Sequence, residues 1–435
     1  MPGLFSGADR DLDEVTALTH FLASKTYTIP KYPTGDVDKG REIYHRIGCV
    51  ACHAPEVGFR PDHLPESTVV ELAGLPSVPM NLADLYSRET LTHFLLNPHQ
   101  HRPSGRMPEF GLTLAEASDI ASYLKAGPER ELPQNLTEAL EADVAFEIDP
   151  AKSALGKELF VSKQCTACHE IQGVKKSIRK ATPLAKLSTE GNPGCLSERP
   201  VGGLVPYYGL DTVQKRAISN AIARIGEKPE WNPLTKLDWR LMSLNCYACH
   251  ERAGKGGPEF AREIYFSGIG ENIHDLGRWG NMPPTLESVG AKLTDQWLKK
   301  VLLSRGRDKE VRPYMLTRMP LFREEDVKPL IKQFRGLDSL PPLKKSGKPG
   351  SAPDETLVKD CQQCHPLGEK DSENLPGINL ALAPERLRDG WFAALLKNPQ
   401  SFHPGTPMPV AFPDSEEPDT DILAVLDYLK SISKN

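Results

Sequence analysis

The chain contains no stretch that approaches 18 consecutive apolar residues, so no helix long enough to cross a bilayer is predicted. Its first residues, Met1-Pro2-Gly3, have neither the basic start nor the apolar segment of a secretory signal peptide. Basic residues are not in excess, and the net charge of −5 argues against nucleic acid as a partner. The 39 prolines and 34 glycines among 435 residues indicate many turns without reaching low complexity. The composition is that of a globular protein, and the length fits two to four domains.

The cysteine count excludes a closed set of disulfide bonds, because nine is an odd number. Eight cysteines form four copies of Cys-x-x-Cys-His, the attachment site of c-type haem, in which two thioether bonds fix the porphyrin and the His reaches the iron. The four motifs comprise Cys49, Cys52 and His53; Cys165, Cys168 and His169; Cys246, Cys249 and His250; and Cys361, Cys364 and His365. Random placement would give roughly 0.005 such motifs in a chain of this composition. We therefore predict four covalently attached haem c groups, each with its motif His as proximal iron ligand.

Zinc is the main rival, since two Cys-x-x-Cys pairs can form a four-thiolate site. Zinc does not require a His directly after the second Cys, whereas all four copies have one. A thioredoxin-like redox motif expects a βαβ context that the sequence lacks. Both rivals are therefore disfavoured against haem.

A repeated order of elements surrounds the motifs. Gly40 to Tyr44 and Gly156 to Phe160 predict a helix leading into the first two motifs, with the first Cys five residues after the aromatic residue in each case. After the motif come a proline-anchored turn, a Met-Pro pair and a closing helix with apolar residues at intervals of three and four. This order resembles the small class I cytochrome c domain, used four times in tandem over roughly residues 35–435.

The resemblance implies an all-α fold with four tandem haem domains joined by long loops. The implied boundaries are 31–130, 150–236, 237–340 and 352–435, with 1–30 as the closing-helix remnant of a further domain upstream. It also implies that a Met sulfur is the second axial ligand. The three candidates are Met107, Met319 and Met408, which lie 54, 69 and 43 residues after their proximal histidines.

Over residues 245–257 and 312–322, the sequence resembles even more specifically the multihaem cytochromes common in planctomycetes and their relatives. That resemblance implies electron transfer, often as one module of a larger chain. Arg312 and Arg318 lie near Met319, and we expect them to bind haem propionates, because Arg pairs with carboxylates.

The second domain departs from the pattern, because Val205-Pro206 stands where Met-Pro is expected and Val has no donor atom for iron. Three interpretations stay open. The iron is five-coordinate and open to a small molecule; it takes a distant ligand; or a tyrosine fills the position. The distant candidates are Met242, His274 and Cys195, and the tyrosines are Tyr207 and Tyr208.

The first 25 residues match the closing half of a cytochrome domain. Met1 precedes Phe21 by twenty residues, as Met408 precedes Tyr428. We therefore predict that the chain is a piece of a longer protein, and a further hypothesis assigns Met1 to the second haem.

The predicted function is single-electron transfer along four haems in a periplasmic or otherwise extracytoplasmic protein. Its partners would be redox proteins, such as a dehydrogenase or a respiratory complex. The alternative is a peroxidase-like or other oxidoreductase in which the second haem is an open reaction centre fed by the His/Met haems.

Overall fold

The structure of the protein is a computed structural model. It describes residues 12–25, 28–61, 77–78, 86–103, 105–126, 146–167, 169–175, 183, 186, 196, 208–225, 227, 230–266, 268, 276–304, 311–341 and 355–433. The chain divides into two compact units. The split unit comprises Met1–Thr28 and Glu129–Glu230, and the large unit comprises Ile29–Pro128 and Trp231–Asn435. The second Cys-x-x-Cys-His motif lies in the split unit, and the other three lie in the large unit.

The described residues are mostly helical, which confirms the predicted all-α character. The helices of the split unit are α1 (Leu12–Ala23), α6 (Pro150–Ser162) and α7 (Thr212–Ala223). Those of the large unit are α2 (Val37–Arg46), α3 (Arg88–Leu96), α4 (Pro98–His101), α5 (Leu114–Ala126), α8 (Pro233–Ser243), α9 (Gly277–Asn281), α10 (Val289–Lys292), α11 (Asp295–Leu303), α12 (Glu324–Leu337), α13 (Ala383–Arg386), α14 (Asp389–Lys397), α15 (Pro399–Phe402) and α16 (Pro418–Ile432). A short antiparallel hairpin joins β1 (Glu251–Arg252) to β2 (Lys255–Gly256).

The helix leading into the first motif crosses the closing helix at a glycine. Asp36 caps α2, where its side chain accepts hydrogen bonds from two backbone N–H groups of the first turn. A Cβ atom built on Gly40 would lie 2.0 Å from the backbone oxygen of Asp119 in α5, so only glycine lets the helices approach this closely. One turn later the Tyr44 and Tyr123 rings pack 5.5 Å apart. α2 and α5 thus form a tight pair immediately before the first motif.

The third and fourth motifs have closing helices of the same kind. α12 begins shortly after Met319-Pro320 and packs on α8, the helix that leads into the third motif. α16 follows Met408-Pro409 and packs on a short 3₁₀ turn, Glu355–Val358, in front of the fourth motif. The predicted order of leading element, motif and closing helix therefore recurs three times within the large unit.

The split unit contains the corresponding pair from two distant parts of the sequence. α1 packs along α6, the helix that leads into the second motif. Their interface buries Leu18, Phe21 and Phe160. The predicted domain boundaries remain a prediction, and the structure adds that residues 1–28 associate with residues 129–230.

None of the helices in the described ranges combines the length and the hydropathy that a bilayer crossing requires. The segments between the predicted domains, residues 131–149 and 341–351, lie largely outside the described residues.

Candidate haem sites

All four motifs fold into the same turn. In each, the backbone N–H of the His donates to the carbonyl of the first Cys over 2.9 Å, for His53, His169, His250 and His365. The residue before the first Cys has a positive φ in three copies: 118° at Gly48, 63° at Gln164 and 56° at Asn245. The reversal places two thiols and one imidazole on a single turn, which is the arrangement that Cys-x-x-Cys-His needs to hold one porphyrin.

Three motif histidines are oriented by a backbone carbonyl. The Nδ1 atoms of His53, His250 and His365 lie 3.1, 2.7 and 2.9 Å from the carbonyl oxygens of Val78, Pro284 and Ile378. A carbonyl only accepts, so Nδ1 carries the proton and Nε2 keeps its lone pair for a metal. These carbonyls belong to segments at or beside the predicted proline-anchored turns, so these segments orient the three imidazoles. For His169 the equivalent turn lies outside the described residues, apart from Pro183.

Burial shifts the pKa of several motif side chains in the direction that favours their neutral forms. Burial is the main cause that raises the pKa of the Cys49, Cys246 and Cys249 thiols to about 12. Burial also lowers the pKa of His250 and His365. No group of three or more His, Cys, Asp or Glu side chains converges as a metal site within the described residues.

Each Met-Pro methionine packs against the core that contains the first Cys of one motif. Met107 shares its hydrophobic cluster with Cys49, Met319 with Cys246, and Met408 with Cys361. The three pairs are separated by 58, 73 and 47 residues of sequence, so the fold brings them together. Iron ligation by these methionines remains a prediction.

The second motif has a different neighbour. Cys165 packs against the cluster of Leu18, Phe21 and Phe160, so α1 takes the place that a Met-Pro closing helix has elsewhere. Cys168 lies outside the described residues, as do four of the candidate sixth ligands: Met1, Cys195, Tyr207 and His274. Of the described candidates, Tyr208 is 51% exposed, and Met242 is 60% exposed on α8 in the large unit.

The first and third sites meet through equivalent residues. Glu109 and Leu321, each two residues after a Met of the Met-Pro pairs, exchange backbone hydrogen bonds of 2.9 and 2.8 Å. Arg318 forms a bidentate ion pair with Glu116 of α5, so this guanidinium is engaged by a carboxylate of the protein. Arg318 was expected to bind a propionate, and it pairs with Glu116 in the structure.

The second cysteines of the first and third motifs are neighbours. Cys52 and Cys249 pack in one small cluster with Met282, and Cys52 contributes to the raised pKa of the Cys249 thiol. The side-chain amide of Asn245 donates to the Cys52 sulfur over 3.3 Å. The first and third attachment turns are therefore adjacent in the large unit, although Cys52 and Asn245 are 193 residues apart in sequence.

One buried and two half-buried cations gather where the third and fourth sites meet. We call Lys292, Arg312 and Arg386 the cation cluster. Burial and the two neighbouring guanidinium groups lower the pKa of Lys292 to about 7. Burial followed by the repulsion of Arg312 lowers the pKa of Arg386 to about 10. The Arg312 guanidinium donates to the Met282 carbonyl over 2.6 Å.

Arg386 of the cation cluster and the neighbouring Trp391 present N–H donors that the described protein atoms do not satisfy. Within the described part of the chain, Arg386 Nε and Trp391 Nε1 are buried without a hydrogen-bond acceptor. No carboxylate of the described residues pairs with Lys292 or Arg386. Buried N–H donors and unpaired cations are costly unless an anion meets them, and the carboxylates of haem are such anions. The oriented imidazoles and the cation cluster together fit haem c.

These features define a mostly helical protein whose Cys-x-x-Cys-His turns have the donors that covalent haem attachment requires. Residues 37–127 match the family model described as Cytochrome c. A protein named "Cytochrome c 2.1" from Caenorhabditis briggsae is 31% identical over 101 residues, which cover 21% of this chain and 89% of that protein. The chain belongs to the cytochrome c family, and this membership implies covalently bound haem, iron and haem-based electron transfer. No solved structure matches the chain significantly.

Two features of the sites were not predicted from the sequence. Lys292 and Arg386 received no role, although both lie five residues before a tryptophan, Trp297 and Trp391, in equivalent segments. That shared spacing was the available signal. For the pairing of α1 with α6, the only indication in the sequence was the spacing of Met1 and Phe21.

Proposed function

We propose that the protein is a tetrahaem c-type cytochrome that transfers single electrons between redox partners outside the cytoplasm. The observation that carries this proposal is the recurrence of one local arrangement. The same His-to-Cys backbone hydrogen bond is present in all four motifs, and three motifs share their core with a Met-Pro methionine. The resemblance of residues 245–257 and 312–322 to planctomycete multihaem cytochromes supports the tandem arrangement.

Haem c, when bound, supplies a one-electron Fe(III)/Fe(II) couple whose potential is raised by His/Met ligation. The protein contributes the ligand orientation. The Val78, Pro284 and Ile378 carbonyls fix the imidazoles through Nδ1 and increase their basicity toward iron. Met107, Met319 and Met408 would be further ligands of the haem irons through their sulfur atoms.

The large unit provides a route between sites that are not consecutive in sequence. Since Cys52 and Cys249 share one cluster, the haem edges attached to them would be neighbours. The bridge between Leu293 and Leu387 likewise links the third site to the fourth. The proposed order of contact in this unit is therefore first, third, fourth.

The haem count is tested by mass spectrometry of the holoprotein produced with the cytochrome c maturation machinery. We expect four covalent haems, and we expect one fewer in each variant in which both cysteines of a motif are replaced by Ala. Cys195→Ala is the matched control and should retain all four. A wild-type protein with fewer than four haems, or a motif whose removal costs none, contradicts the tetrahaem proposal.

The redox role is tested by spectroelectrochemistry and by partner reduction. We expect reversible one-electron steps and rapid electron exchange with a dehydrogenase or respiratory complex from the same source. Turnover of peroxide or oxygen at an open haem would instead favour the oxidoreductase alternative.

Localisation is checked by fractionating cells that produce the natural protein, where the haem stain should appear outside the cytoplasm.

A further inference from the structure

A segment of the predicted third domain packs on the attachment turn of the predicted first domain. It contains a 3₁₀ helix, Phe260–Tyr265, which contacts the turn Cys49–Ala51. We call residues 259–266 the wall segment. Its two aromatic residues Tyr265 and Phe266 are 3% and 0% exposed, because both lie in the cores around the first motif. Their neighbours in these cores include Tyr44, Val50, Ala51, Cys52 and Phe59.

The wall segment also buries a cation beside the first motif. The Arg262 side chain is 2% exposed. Its Nη1 donates to Glu259 Oε2 over 3.0 Å, and its Nη2 donates to the hydroxyl of Ser77, a first-domain residue, over 2.7 Å. A guanidinium stays charged even when it is buried. Because the Glu259 side chain is 40% exposed, solvent screens its negative charge more than it screens the buried positive charge.

The charge of this arginine acts on donor groups of the first motif. Burial raises the pKa of the Cys52 thiol, the Arg262 charge opposes that rise, and the Glu259 charge adds to it. Burial is also the main cause that lowers the pKa of His53, and the Arg262 charge lowers it further. The proximal histidine of the first site and the cysteine beside it therefore experience a cation that the third domain supplies.

A fixed charge at this position acts differently on the two oxidation states of a haem. Ferric iron carries one positive charge more than ferrous iron, so a nearby cation disfavours the ferric state and raises the midpoint potential. Burial strengthens this effect, because less solvent lies between the charges. A buried arginine is also a costly way to fill space, since Tyr265 and Phe266 fill it without the desolvation of a charge.

Resting on the proposed function, we propose that the wall segment of the third domain completes the first haem site and that Arg262 raises the midpoint potential of the first haem. The first domain is then not a self-contained electron carrier. Its potential is set in part by the domain with which it would exchange electrons.

Spectroelectrochemical titration of the full holoprotein measures the four midpoint potentials. In Arg262→Gln we expect one potential to fall, with about a tenfold decrease in the reduction equilibrium of that haem, or about 59 mV for one electron. Glu259→Gln removes the opposite charge and should raise the same potential by a smaller amount. Arg262→Lys keeps the charge and should restore most of the loss. A purely structural role of this ion pair would shift the potential in the same direction in all three variants.

Two controls assign the shift. Arg335→Gln removes an arginine of α12 whose side chain is 53% exposed, and it should move no potential. When Cys49 and Cys52 are both replaced by Ala, adding Arg262→Gln should leave the three remaining potentials unchanged. Mass spectrometry counts the haems in every variant. If Arg262→Gln loses a haem, the direction of the shift in Glu259→Gln decides the question.

Three results overturn the inference: unchanged potentials in Arg262→Gln, shifts of the same direction in Arg262→Gln and Glu259→Gln, and a shift that persists without the first haem. A wild type that carries no haem on the first motif would instead contradict the tetrahaem proposal itself.

Discussion

The Nζ atom of Lys292 lies 4.6 Å from the ring centroid of Trp391, and this contact is reciprocated by Arg386 over the ring of Trp297 at 5.9 Å. The backbone between them is paired. Thr294 N–H donates to the Arg386 carbonyl over 2.8 Å, and Arg388 N–H donates to the Lys292 carbonyl over 2.9 Å. Each of the two segments therefore extends its cation over the tryptophan of the other.

The reciprocal packing of these cations and tryptophans predicts that Lys292 raises the midpoint potential of a neighbouring haem. Below its pKa of about 7, Lys292 carries a positive charge beside the proposed haem carboxylates, and its replacement by Gln removes that charge and favours the ferric state. We expect the midpoint potential of one haem to fall by on the order of 60 mV, a tenfold change in its reduction equilibrium. Spectroelectrochemical titration measures the shift.

Two controls accompany that titration. Lys299→Gln removes an exposed lysine on α11 and should move no potential. Lys292→Arg keeps the charge and should restore most of the shift. Equal potentials in Lys292→Gln and the wild type would show that this lysine faces no haem.

The sequence predicted the parts of the sites that are contiguous. All the reactive groups of Cys-x-x-Cys-His lie within five consecutive residues. The four turns around His53, His169, His250 and His365 could therefore be predicted without knowledge of the tertiary structure. The closing helices α5 and α16 were also predictable, because Ile120 and Ile422 begin patterns with helical periodicity.

The remaining features depend on contacts between distant segments. Arg318 was expected to meet a propionate, but its partner Glu116 lies 202 residues away and reaches it only through the pairing of the Met-Pro loops. Periodicity carries no information about such pairing. The same applies to α1 on α6, where His20 and Asp149 are 129 residues apart.

The Arg318–Glu116 ion pair should couple the first and third sites energetically. Both side chains are mostly buried, with 27% and 21% exposure. A double-mutant cycle with Arg318→Gln and Glu116→Gln should give a coupling free energy of about 1–2 kcal/mol in chemical unfolding. The exposed pair Lys328–Glu324 is the reference and should give about 0.2–0.5 kcal/mol. Equal coupling in both cycles would contradict the structural role of Arg318.

His45 should make stability depend on pH. Its ring is fully buried and stacks on Phe59 at 3.7 Å. Nδ1 lies 2.7 Å from the Arg41 carbonyl, and Nε2 accepts from the Glu56 N–H over 2.9 Å. Burial is the largest cause that lowers its pKa to about 4.

The direction in which the free energy of unfolding changes with pH follows from proton binding. Between pH 6.5 and 4 the unfolded chain protonates this His and the folded chain does not, so acidification favours unfolding. The loss over this window should be on the order of 3 kcal/mol. Chemical unfolding at several pH values measures it, and His45→Gln should have a shallower slope by about one proton. Identical slopes would show that His45 is not the titrating group.

The crossing of α2 and α5 should tolerate no side chain at Gly40. Gly40→Ala forces a methyl group to within 2.0 Å of a backbone oxygen that cannot rotate away, so the helices must separate. We expect a loss of about 1–3 kcal/mol in the free energy of unfolding. Gly336→Ala, in the open part of α12, should instead gain about 0.5–1 kcal/mol from its helix propensity. Denaturant titration of both variants followed by far-UV circular dichroism makes the comparison. A Gly40→Ala protein as stable as the wild type would mean that α2 and α5 do not approach each other as closely as the structure shows.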